Sequence, residues 1–169
     1  MGEPHKPPMD PPVDPAETMI AELAARSELV DVRVVKWRGE LVGEPTNGSR
    51  ELGLRIAMAY RVPDEGFECK FDVSAPLADD EGSLIADLAV AVITSFRTTS
   101  DGTPSDDAVK AFMHRIAYVV ATPFIREAIQ TLTTRLGLEP LTLGLLQSGN
   151  DLPVEASMQQ RQVAHINWT

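Results

Sequence analysis

The sequence has one cysteine, Cys69, in 169 residues, so it cannot form an internal disulfide. Cations are scarce: 15 Lys and Arg stand against 25 Asp and Glu, for a formal net charge of −10. Such a chain repels phosphate backbones, and nucleic acid is not an expected partner. No apolar window reaches the roughly 18 residues that a membrane-spanning helix requires. The most apolar stretch, Leu84 to Phe96, is too short and contains Asp87, so no membrane insertion is expected. No basic segment followed by an apolar run opens the chain, which makes the cytoplasm the expected compartment. Asn47-Gly48-Ser49 and Asn167-Trp168-Thr169 fit a glycosylation pattern only by coincidence, and Asn47-Gly48 reads as a turn.

Converging catalytic groups are missing as well. The three histidines are scattered: His5 in a proline-rich start, His165 in the tail, and His114 between apolar neighbours on a helix, none with a partner at ligand spacing. The glycine-rich phosphate loop and the Gly-x-Ser-x-Gly elbow are both absent. Cys69 falls between Phe67 and Phe71 on an apolar face, where a thiol is an inert core residue. The acidic run Asp79-Asp80-Glu81 reads as a solvated turn. No cofactor, no metal and no catalytic residue are expected.

What the chain does carry is a series of well-punctuated elements. Residues 1–13 hold five prolines and little apolar material, so they are expected to be a disordered arm. Asp14-Pro15-Ala16-Glu17 supplies a cap, a first-turn proline and an acid for a first helix. From Leu29 the period changes to that of a strand, closed by a Gly/Pro/Asn loop from Arg38 to Arg50. Leu52, Leu54, Ile56, Met58 and Tyr60 alternate with small or charged residues, predicting a second strand. Phe67, Cys69, Phe71, Val73 and Ala75 predict a third, and the almost unbroken apolar run Leu84 to Phe96 a fourth, covered on both faces. Thr103-Pro104-Ser105-Asp106 starts a helix striped by Val109, Phe112, Met113, Ile116 and Val120. Thr122-Pro123 predicts a kink or a restart, because proline inside a helix costs about 3 kcal/mol whereas at a first turn it costs little. Gly137 ends that helix, and Leu138 to Leu146 is expected to run extended over apolar surface. Residues 14–146 are thus expected as a single domain, with 147–169 a weakly helical tail. The apolar surface exceeds what one small core can bury, so some of it should face another chain.

The segment Ala117-Tyr118, Pro123-Phe124-Ile125-Arg126-Glu127-Ala128-Ile129, Leu132, Arg135 and Pro140-Leu141-Thr142-Leu143 resembles the C-terminal half of the SecB family of chaperones. The match covers about 30 residues in the family's order, and the strand and helix order upstream agrees with it. The added N-terminal helix is similar to that of the SecB-like chaperones of toxin–antitoxin systems. The resemblance implies an α+β fold, a four-stranded antiparallel sheet packed by helices, assembled as a homotetramer built from a dimer of dimers. It implies ATP-independent holding of non-native client polypeptides in apolar grooves, for protein export or for a dedicated partner such as an antitoxin. Carried over by position, the groove residues are Leu52, Leu54, Ile56, Leu84, Ala86, Leu88 and Phe124. Pro123, Arg126, Glu127, Pro140, Leu141 and Leu143 carry the motif. Asp87 is the one acid near the site where exporters dock the translocation motor's basic tail, and Lys36 and Arg38 stand where further acids would be expected.

Two rivals remain open at the level of sequence. A small-molecule enzyme of hot-dog type would need Asp106 or Glu127 as its acid at a helix start. A purely structural oligomerisation module would use all its spare apolar surface as interface.

Overall fold

The computed structural model describes residues 14–44, 50–99 and 102–141. The proline-rich arm, the tail from 147 and Leu143 of the motif lie outside the described residues. Helix α1 (Pro15–Ala25) is followed by strands β1 (Ser27–Leu41), β2 (Arg50–Leu52), β3 (Arg55–Arg61), β4 (Gly66–Asp79) and β5 (Leu84–Thr98). A last helical stretch then runs without a gap through α2 (Asp106–Phe112), a π-helical turn (Met113–Ala117) and α3 (Tyr118–Arg135).

All strand pairs are antiparallel, in the order β1-β5-β4 with β2 and β3 both on the free side of β4. The expected second strand is therefore present but split. Gly53 N–H donates to the Pro76 carbonyl at 3.0 Å, and Pro76 has no N–H to return, so the ladder breaks opposite Gly53 and Leu54. β1 runs four residues into the loop expected from Arg38, ending at Leu41. It also carries irregularities at Val30 and Val35, which interrupt the simple alternation of its valines.

Register sorts the side chains into two faces. Phe67, Cys69, Phe71, Val73, Ala75 and Leu77 of β4 lie opposite Phe96, Thr94, Val92, Val90, Leu88 and Ala86 of β5. All twelve are buried, and the helices cover them. Phe67 stacks on Phe96 at 5.1 Å between centroids, and the edge of Phe112 meets both rings at 5.1 and 5.0 Å. This three-ring cluster pins the start of the long helix over β4 and β5. Gly66 begins β4 where a Cβ would come within 2.0 Å of the Phe96 carbonyl oxygen, so only glycine allows that approach.

The helix starts differ from expectation in two places. Ser105, not Thr103, is the cap of α2, its Oγ accepting from Ala108 N–H at 3.3 Å. Pro123 lies inside α3 and does not start a new helix; Thr122 is interior too, its hydroxyl donating to the Tyr118 carbonyl at 2.8 Å. A π-helical turn at Met113–Ala117 precedes Pro123 by about two turns. α1 keeps its expected cap, with Asp14 Oδ1 accepting from Ala16 N–H at 3.0 Å.

Candidate functional site

The long helix crosses the sheet obliquely. It begins over Phe67 and Phe96, passes Phe71 at Tyr118, and ends over β1, where Trp37 Nε1 donates to the Ala128 carbonyl at 3.2 Å. The Arg135 guanidinium sits 5.2 Å from the Trp37 ring centre, and a Cβ on Gly39 would touch Leu132 and Leu136. α3 consequently packs mainly on β5 and β1 and meets β4 little. That drift leaves the inner face of β2 and β3 half-covered. Leu52, Leu54, Ile56, Met58 and Tyr60 form a strip there, each partly buried and packed against the core. Beyond α3 the chain turns back, Leu141 N–H donating to Thr133 Oγ1 at 3.2 Å, with Leu138 buried and Leu141 half-buried against the same core.

The structure brings together three of the residues carried over from the family groove, Leu52, Leu54 and Ile56, and extends their strip with Met58 and Tyr60. Ala86 and Leu88 are a correction. Both are fully buried, because their register partners Leu77 and Ala75 are themselves core beneath the helix. Leu84 is exposed at the end of the sheet, where Val42 N–H bonds the neighbouring Ile85 carbonyl. Phe124 lies four residues before Ala128 and eleven before Arg135, on the helix stripe that faces β1, and so on the flank away from the strip. The same periodicity turns Thr122, Arg126 and Thr133 toward the strip's side. Glu127 and Pro140 are exposed, and Asp87 is ion-paired to Arg38 on the opposite face.

A second apolar region was less visible in the sequence. β1 is an outer strand of the sheet, and Leu29, Val30, Val34, Trp37, Leu41 and, just beyond it, Val42 are exposed large apolar side chains. Trp37 is 46% exposed and Val42 57%. An edge strand of this length and character is a template for another chain. The signal was in the sequence as Trp37-Arg38-Gly39-Glu40-Leu41, but the glycine made it look like loop.

Chemistry of an enzymatic kind finds little support in these groups. Among the described residues no group of His, Cys, Asp and Glu is placed to hold a metal, and none of the helices is long and apolar enough to cross a membrane. Burial first, and the Glu68 carboxylate second, push the Cys69 thiol up to about 12. Burial also raises Tyr118, and burial with the nearby Asp106 carboxylate raises Tyr60. Each raised group binds its proton more tightly in the folded chain. The stability they contribute is complete below the unfolded cysteine value of about 8.5 and drains away as pH climbs toward 12. Urea midpoints should therefore fall between pH 8 and pH 11, and Cys69→Ala should flatten part of that fall. Equal midpoints across this range would contradict the buried thiol.

Comparison with known proteins fits this geometry. The chain is 30% identical over 131 residues to the SecB-like chaperone SmegB of Mycolicibacterium smegmatis, covering 77% of this chain and 82% of that protein. The chain belongs to the SecB-like chaperone family. This SecB-like protein is thus a chaperone and not an enzyme, which removes the hot-dog alternative. Its fold matches that of the Mycobacterium tuberculosis Rv1957 SecB-like chaperone, solved in complex with a ChAD peptide from the Rv1956 HigA1 antitoxin. That match has a TM-score of 0.73 at 21% identity, covering 79% of this chain and 99% of the other. No family model matches the sequence.

Proposed function

We propose that this SecB-like chaperone is an ATP-independent holdase of the cytoplasm that binds an extended apolar segment of a dedicated antitoxin along the β2–β3 strip. The observation that carries the reading is the half-covered strip Leu52, Leu54, Ile56, Met58 and Tyr60 beside a helix that veers away from it. The antitoxin partner rests on the peptide held by the Rv1957 chaperone of the same fold. A segment that buries on the order of 400 Å² of apolar area gains roughly 10 kcal/mol, and ordering a flexible chain gives back several. Single segments then bind at micromolar strength or weaker, and several strips on one oligomer hold a client by avidity.

The oligomer forms through β1, whose free edge and exposed side chains suit a second copy of the chain. The tetramer implied by the family is a dimer of such dimers. Docking of the export motor's basic tail is not favoured, since Asp87 is already neutralised by Arg38. Light scattering should find an oligomer for the wild-type chain and a smaller particle for Val34→Asp, which places like charges across the paired edges. Titration with a fluorescently labelled unfolded polypeptide tests the function itself. Saturable micromolar binding by the oligomer is expected; an oligomer that ignores the polypeptide would instead be a structural module.

A further inference from the structure

The sheet's other face, turned away from the helices, breaks with the charge of the chain. Register lays its side chains in rows across four strands: Arg38, Ala89, Ser74 and Arg55, then Lys36, Ala91, Asp72 and Ala57, then Arg33, Ile93, Lys70 and Ala59. These three central rows hold five cations and a single acid, in a chain whose net charge is −10. The neighbouring rows supply acids that engage some of them. Arg38 pairs with Asp87, Arg33 reaches Glu68 at 3.2 Å and Asp31 at 3.7 Å, and Lys70 meets Asp72 at 3.2 Å. Lys36 on β1 and Arg55 on β3 are exposed and form no ion pair among the described residues. They stand on opposite margins of the face, three strand spacings or ~14 Å apart across the sheet. Between them Ala57, Ala89 and Ser74 form a low floor, Ala91 is buried beneath longer neighbours, and the Asp72 carboxylate that shares this floor is held by Lys70. A polypeptide can lie flat there with acidic side chains reaching both margins.

We infer that this outer face is a second docking surface, distinct from the client strip, for an acidic peptide segment of a partner protein. Charge complementarity selects the partner: the overall negative charge repels polyanions at long range, while the central rows attract carboxylates at contact distance. Small side chains on the floor admit a backbone, which a rod of nucleic acid would not need.

The test uses the whole chain and a short fluorescein-labelled peptide of alternating Glu and Ser, read by anisotropy at low salt. Its Lys/Ser counterpart and a single-stranded oligonucleotide serve as rival probes. The acidic peptide should bind, should weaken as salt rises, and should lose about tenfold or more in affinity in Lys36→Glu/Arg55→Glu. Unfolding midpoint and client binding at the strip should not change in Arg55→Glu alone, because that side chain is exposed on the face away from the strip and lies off the β1 edge. The charge-neutral pair Lys36→Gln/Arg55→Gln should give an intermediate loss. Absence of binding, unchanged affinity in both variants, or preference for the basic peptide or the oligonucleotide would overturn the assignment.

Discussion

Phe67→Ala should remove about 3–5 kcal/mol of folding stability, the range for emptying a buried aromatic site. Phe67 is wholly buried between Phe96, stacked on it, and Phe112, edge-on to it. It is the point at which the first turns of the long helix are fixed to the two central strands. The cavity would open between the sheet and the helix, whose close-packed side chains relax into it only in part. Urea unfolding at fixed protein concentration reads the loss, because the proposed oligomer would make stability depend on concentration. A loss under about 1 kcal/mol would mean that the rings fill space without holding the layers together.

The second large effect is a contrast between two leucines. Leu88→Ser should cost about 3–5 kcal/mol, by losing a buried side chain and leaving a hydroxyl in a dry place. Leu54→Ser, at a half-covered position, should cost under about 1.5 kcal/mol but weaken binding of an unfolded polypeptide about tenfold or more. The pair separates core from site by measurement: Leu88 is fully buried under α3, whereas Leu54 lies where the ladder to β4 is broken and the helix has moved off. If Leu54→Ser unfolded the chain as readily as Leu88→Ser, the strip would be core and the proposed site would have to lie elsewhere.

Where the sequence was legible and where it was not has a physical reason in each element. β4 was plain because a strand with one dry and one wet face writes its alternation directly, from Phe67 and Cys69 to Glu68 and Lys70. The cap at Asp14 was plain because its side chain acts on the very next turn. Pro123 misled because its missing N–H and ring were expected to end the helix, whereas α3 runs on through it. The split at Gly53 depended on Pro76, more than twenty positions away and visible only through pairing. The site suffered from the same limit. Alternation tells which face Ala86 and Leu88 occupy, and that is the face of Leu52, but depth is set by where the helix crosses, a tertiary fact. Likewise the apolar edge of β1 could be counted as surplus in the sequence, yet only strand order reveals that β1 has no neighbour on its outer side among the described residues.

In the proposed function the two margins of one sheet have two tasks, β1 for another copy and β2–β3 for the client. Hydrogen exchange on the intact protein, with and without a saturating unfolded polypeptide, tests that division most directly. Amides of residues 50–62 should become slower to exchange when the polypeptide is bound, while those of β1 should already be slow and stay so. Protection that appears along β1, with none between residues 50 and 62, would contradict it.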